Sequence, residues 1–199
     1  MTDRLAELYR KLEPYAYATD YYNESVRAIE LPAFAMNIAR LFTKDNDGNV
    51  TFDKAKAEKL AGDFYKDYHQ PIDKEIFAAM MGEYEKNVPE TFKPEYFKKA
   101  LSDHGNISSW AESLFGSTLF VDENRVKSLN AVDKETVMTD PATVFFNEFL
   151  KWYHNDIKPH SDRLNTEIQL AYRKYMQGQM VYARTQKLAK NFYPDANLT

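Results

Sequence analysis

The stretch "FTKDNDGNVTFDK" holds the densest set of oxygen ligands in the chain and is spaced like a calcium-binding EF-hand loop. With Gly48 at the loop's sixth position, Asp45 and Asp47 fall at the third and fifth and Val50 at the eighth. The two ends of the motif fail. Thr43 stands where a first carboxylate is needed, and Lys54 where a bidentate glutamate should close the site, so an ammonium would repel the ion. The plainer expectation is a polar connection between helices, with an Asp-Gly turn and Thr51 or Asp53 as the next helix cap. A calcium sensor would show a calcium-dependent shift in melting.

The other reactive side chains are scattered. His154 and His160 are six residues apart with Asp156, Pro159 and Asp162 nearby, while His69 and His104 lie far away in sequence. There is no HExxH and no histidine pair at helical spacing, so no metal is expected. Serine chemistry needs a nucleophile on a sharp turn and a histidine held by a carboxylate. No GxSxG occurs, and "SDHGNISS" has the letters without the arrangement. Glu83 with Glu85, and Glu148 with Asp156, read as solvated helix faces. No catalytic residue, cofactor or metal ligand is assigned, and no substrate-binding residue can be named.

The bulk composition narrows the classes. The 199 residues carry a net charge of −4 with acids and bases intermixed, and no basic face stands ready for a phosphate backbone. Nucleic acid is therefore not an expected partner. No apolar run approaches the roughly 20 residues of a membrane span, no cysteine is present, and no secretory signal is visible after Met1.

The elements that must position these groups read as helices. Leu5, Leu8, Leu12, Tyr15, Thr19, Tyr22, Val26 and Ile29 recur in alternating steps of three and four, the seam of a helix lying along a partner. Pro14 should kink this helix without ending it. Shorter helices follow. One carries Leu60, Ala61, Phe64, Tyr65 and Tyr68, another opens at Pro71, a third starts at Pro94, and a fourth begins from a Ser109–Glu112 capping box. "STLFV" is the single strand candidate. Asp140-Pro141 then starts a long helical run through Phe145, Phe149, Trp152, Tyr153, Leu164, Ile168, Ala171 and Tyr175. If helical to residue 189, it would extend for roughly 70 Å. The expected fold is all-α, an elongated antiparallel bundle with two long outer helices and several short ones between them. The Met and Tyr residues of "AYRKYMQGQMVYA" are expected to pack in its core.

The final residues carry a resemblance. "NFYPDANLT", preceded by "LAYRKYMQGQMVYARTQKLAK", is similar to the close of the helical domain in the bacterial serine dipeptidyl aminopeptidases typified by dipeptidyl-peptidases seven and eleven. The matching positions are Phe192, Tyr193, Pro194, Asp195, Ala196 and Asn197. Arg173, Tyr175, Met176 and Met180 look like that family's last long helix, and "LYRKLEPYAYATDYYNE" looks like its helical region. The resemblance implies a chymotrypsin-like double β-barrel interrupted by a helical domain. Residues 1–199 would then be that single helical cap or regulatory domain, an excised insertion. Residues 192–199 would start the connection back to the missing barrel, with Tyr193, Pro194, Asp195 and Asn197 as its hinge.

It implies further that the serine, histidine and aspartate of the parent lie elsewhere, and that the cap covers and gates the cleft while being inactive alone. The parent would release N-terminal dipeptides, after Asp or Glu in the preferred reading and after apolar residues in the second. Its partners would be the missing catalytic domain of the same chain and a peptide substrate, in a homodimeric enzyme located in the periplasm or at the cell surface. Tyr21 and Tyr153 are candidates for the face toward the barrel, with core packing the alternative. The competing expectation is a free-standing helical interaction module whose seam at residues 5–29 is a dimer interface.

Overall fold

The computed structural model describes residues 2–185. Helix α1 (Thr2–Tyr21) runs on past Pro14 and passes into one wider turn, Tyr22–Val26, closed by Arg27 N–H donating to the Tyr22 carbonyl at 3.2 Å. Helix α2 (Glu30–Ala39) leads into a hairpin of β1 (Phe42–Lys44) and β2 (Val50–Phe52). Helices α3 (Lys54–Tyr65), α4 (Gln70–Asn87), α5 (Glu95–His104) and α6 (Ile107–Ser117) follow. The short α7 (Glu123–Ser128) and α8 (Lys134–Thr139) precede α9 (Pro141–Trp152). A second wider turn, Tyr153–Ile157, joins α9 to the long α10 (Lys158–Thr185).

The all-α expectation holds, with the small hairpin as its addition. Helices α1 and α10 pair antiparallel. Arg4 donates to Glu167 at 3.0 Å, Leu8 packs with Leu164, Ile168 and Ala171, and the Tyr15 ring stacks on His160 with centroids 5.3 Å apart. The Arg4–Glu167 pair is exposed and adds little to stability. Burying Leu8, Leu164 and Ile168 contributes about 1.5–3 kcal/mol for each side chain removed from water. The seam foreseen at residues 5–29 is therefore real but intramolecular. Its first half lies on α10, and its second half, Tyr22, Val26 and Ile29, enters the main core. A dimer formed through that seam would have to displace α10.

Helix α2 is buried on nearly every side, with Leu31, Phe34, Ala35, Met36, Ile38 and Ala39 all in the core, and it packs lengthwise on α9. Around them stand Phe77, Tyr84, Phe97, Trp110, Phe145 and Phe149. Phe77 meets Trp110 edge to face at 5.2 Å, and Tyr84 meets Phe149 the same way at 5.5 Å, the orientation favoured by ring quadrupoles.

Two local expectations are corrected. "STLFV" forms no strand. Thr118 caps a single tight turn, Leu119–Val121, by accepting from Phe120 N–H at 3.2 Å, and Leu119 and Phe120 are buried there. The cap of α6 is Asn106, which accepts from Ser109 N–H at 2.8 Å, so Ser109 already lies inside the helix. The observed strands were not foreseen. Phe42 pairs with Phe52 and Thr43 with Thr51, and the two phenyl rings sit 4.4 Å apart against the core.

Burial in this aromatic core raises the phenols of Tyr65, Tyr68, Tyr84 and Tyr96 above their ordinary value of 10.0. The unfolded chain ionises near that value while the folded chain keeps the protons. The stability these groups confer is complete below it and is lost as pH climbs above it. The expected outcome of alkaline titration is that these four tyrosines develop phenolate absorbance together with unfolding, read by circular dichroism. Ionisation of all four in a still-helical protein would contradict the packing.

Candidate functional site

The EF-hand-like segment is the tip of the hairpin. The Asp45 carboxylate accepts from Asn49 N–H at 2.8 Å, Asp47 N–H at 2.9 Å and the Asn49 amide at 3.2 Å. The bonds from Asn49, foremost among these, hold the carboxyl below its ordinary range. Gly48 has a φ of 84°, the left-handed conformation that this turn requires. Thr43 and Thr51 bond each other across the strands at 2.7 Å, and Asp53 caps α3 by accepting from Lys56 N–H at 3.0 Å. The loop's oxygens thus serve its own backbone.

Several of the other candidates also have structural partners. Glu83 accepts from Asn87 at 2.8 Å and Glu148 from Lys151 at 2.6 Å, while Asp156 is exposed in the second wide turn. His160 lies on Tyr15, His154 stands against Tyr153, and His69 precedes α4. Among the described residues no three His, Asp or Glu side chains converge as a metal site would need. Also among them, no helix is long and apolar enough to cross a membrane. The proposed hinge, Tyr193, Pro194, Asp195 and Asn197, lies outside the described residues.

Two buried carboxylates were not singled out in the sequence as candidates for chemistry, and both act on backbone. Asp73, on α4, accepts from Glu30 N–H and Leu31 N–H at 2.9 Å each and caps α2 from a different element. Burial pushes its carboxyl up against the pull of those two amides. Asp140 accepts from Ala142 N–H at 2.9 Å, Leu119 N–H at 2.8 Å and the Thr118 hydroxyl at 2.7 Å. It therefore starts α9 and fastens the turn after α6. The Tyr68 phenol reaches Asp73 only at 3.5 Å, and the hydroxyl on Asp140 is the buried Thr118 that caps the neighbouring turn.

What the molecule does present is apolar surface at the far end of α10. Ile168, Tyr172, Met176 and Met180, every fourth residue, join Tyr9 of α1 around an open groove of about 590 Å3. Arg173, Gln169 and Gln177 rim it. Tyr172, Val181 and Tyr182 are exposed, so the expectation that this Met- and Tyr-rich stretch packs in the core is corrected. Past the first turn of α1, α10 has no partner helix among the described residues. Tyr21 and Tyr153, the candidates for the barrel-facing surface, are half-buried against the core. Tyr21 lies against Tyr84, and Tyr153 stacks on Tyr22 at 4.5 Å. The signal for the groove was in the sequence, as a four-residue apolar repeat that outruns its helical partner.

The family model described as peptidase S46 matches residues 1–199. The chain is 26% identical over 202 residues to the Asp/Glu-specific dipeptidyl-peptidase of Flavobacterium psychrophilum, covering 96% of this chain and 27% of that protein. It is 28% identical over 201 residues to the protein of the same name from Capnocytophaga gingivalis, with the same coverage of 96% and 27%. A third of that name, from Porphyromonas gingivalis, is 29% identical over 140 residues, covering 67% of this chain and 18% of that protein. The chain thus spans about a quarter of the length of the curated relatives it matches over nearly its whole extent.

Two outcomes test the structural reading of these carboxylates. Asp140→Ala strands three buried donors and should lower the unfolding free energy by about 3 kcal/mol in urea titration, whereas loss of an exposed ion pair would change it by less than about 1 kcal/mol. Millimolar calcium should leave the melting temperature of the chain unmoved. Asp45→Ala should lower it above the ordinary carboxyl range, and that difference should shrink as acid protonates Asp45 in the parent chain.

Proposed function

The chain belongs to the peptidase S46 family, and from that premise we propose that it is the helical cap domain of a serine-type dipeptidyl-peptidase. The observation that carries the reading is one of proportion. Nearly the whole of this chain finds its match within about a quarter of each of two longer peptidases. The remaining length of such a protein is where a catalytic body is to be sought. The two buried carboxylates support this division of labour, since Asp73 and Asp140 are both engaged in capping helices.

The parent enzyme releases dipeptides from the free amino end of a peptide. A serine on the catalytic body attacks the second carbonyl carbon, a histidine takes the serine proton and returns it to the leaving amine, and backbone donors hold the oxyanion. The cap closes over the bound peptide, shields the acyl intermediate from stray reaction and limits how much chain can extend past the first two residues. A rigid body with one exposed apolar end suits that task. The groove lined by Tyr9, Tyr172, Met176 and Met180 is the surface by which the cap meets the catalytic body. The relatives' names favour Asp or Glu before the cleaved bond, and the enzyme works in the periplasm or at the cell surface.

The test is enzymatic. The full-length gene product should release dipeptides from peptides with Asp or Glu second from the amino end faster than from those with Leu there. The 199-residue chain alone should release none. Turnover by the isolated chain that a serine-directed inhibitor abolishes would overturn the cap assignment, and equal rates on Leu would overturn the acidic preference alone.

A further inference from the structure

The face that α10 turns toward α1 continues beyond the described part of α1. Arg4 stands opposite Glu167, and this antiparallel register sets Ala171 beside the first turn of α1. Leu164, Ile168 and Ala171 supply the contact up to that point. With about 3.6 residues per turn, the next positions on the same face fall in steps of four and three. They are Tyr175, Gly178 and Tyr182. With Lys174 and Gln179 they line a second, shallower cleft of about 340 Å3, roughly a third of a turn around the helix from the groove of Met176 and Met180.

Three features of this stripe suit a helix laid against it. Gly178 weakens a helix interior relative to alanine, and a Cβ added there would meet nothing within 4 Å, so no described contact requires glycine. A glycine at a seam position lets a second backbone or a bulky side chain come close. Tyr175 is already fixed, its hydroxyl accepting from Gln179 Nε2 at 2.9 Å, whereas Tyr182 is 61% exposed. Two large rings flanking a gap form a hole for a knob from a facing helix.

We propose that in the full-length protein this stripe is covered by a helical stretch of the same chain that precedes residue 1, in line with α1 and antiparallel to α10. Continuity with the α1–α10 seam selects this occupant, because the stripe keeps the phase and direction of an interface already formed. The occupant carries apolar residues in alternating steps of three and four over at least two turns, with its largest side chain opposite Gly178. The inference rests on the proposal that the chain is part of a longer protein, as its matched relatives are, of each of which it spans about a quarter. It does not require the cap to gate a cleft.

Single cysteines can be placed in a sequence that has none. Tyr182→Cys reports on the stripe, Met176→Cys on the neighbouring groove, and Leu170→Cys on the outer face, where Leu170 is 50% exposed. Maleimide labelling is followed by peptide mass in the 199-residue chain and in the full-length product, with circular dichroism confirming helix content. The expected result is labelling of Tyr182→Cys slowed by about tenfold or more in the full-length product, with Leu170→Cys unchanged. A photoactivatable crosslinker on Tyr182→Cys should capture a peptide preceding residue 1. Unslowed labelling at Tyr182→Cys overturns the inference, as does capture of residues 186–199, of a later segment or of a second copy. Slowing at Met176→Cys without slowing at Tyr182→Cys overturns it while leaving the docking of the cap on the catalytic body intact. The reverse pattern upholds it and removes that docking face.

Discussion

A helix buried in a protein core brings free N–H groups at its start into a place where water cannot satisfy them, and each one left bare weakens the fold by about 1–3 kcal/mol. Two such helices, α2 and α9, lie on each other within the main core of this molecule. Asp140 answers the problem for α9 from within its own sequence and also holds Thr118 and Leu119. Asp73 answers it for α2 from α4, which ties two helices more than forty residues apart in the chain. Burial opposes the charge on Asp73 while the amides of Glu30 and Leu31 favour it. The carboxylate is tolerated in the core because it completes a helix that otherwise could not be buried.

That arrangement explains which parts of the fold were legible in the sequence. Asp140-Pro141 and Pro71 announce helix starts because their chemistry is local, and both mark real ones. The seam of residues 5–29 was visible as a period, but the period does not name its partner. One continuous stripe serves two cores, since the wide turn at Tyr22–Val26 rotates the chain out of the α10 interface and into the aromatic centre. A matching wide turn at Tyr153–Ile157 stands across from it, with Tyr22 and Tyr153 stacked between them. An extra residue per turn has no compositional mark, so neither turn could be read in advance. Asp73 was equally hidden, because a cap supplied from another element leaves no trace in the neighbouring residues.

The hairpin shows the opposite failure. Its sequence, an Asn-Asp-Gly-Asn tip between Phe-Thr-Lys and Val-Thr-Phe, is a fair strand–turn–strand signal. Comparison with a calcium loop drew attention to the oxygens and away from the flanking Phe42 and Phe52, whose ring contact holds the ribbon to the core. "STLFV" erred for a related reason. A short apolar run between turn residues is compatible with strand or with any buried connection, and Asp140 claims the Leu119 amide that a strand would have offered to a neighbour.

The apolar end of α10 was visible in the sequence as a repeat but read as core, and its geometry shows why. Arg173, Tyr175, Met176 and Met180 carry no reactive group, and helical spacing makes any apolar set look like core. Only the length of the partner separates the two readings. In the first half of α10, Leu164 and Ile168 are closed off by α1; from Tyr172 onward the same helix offers apolar faces in two directions. A stretch of fourteen residues, 172–185, is close to the length at which an isolated helix is marginal in water, and its sequence carries a glycine as well. Tertiary packing has to supply what propensity does not. A contact that covers the apolar end of α10 would therefore order the longest helix of the fold as well as bury its exposed rings.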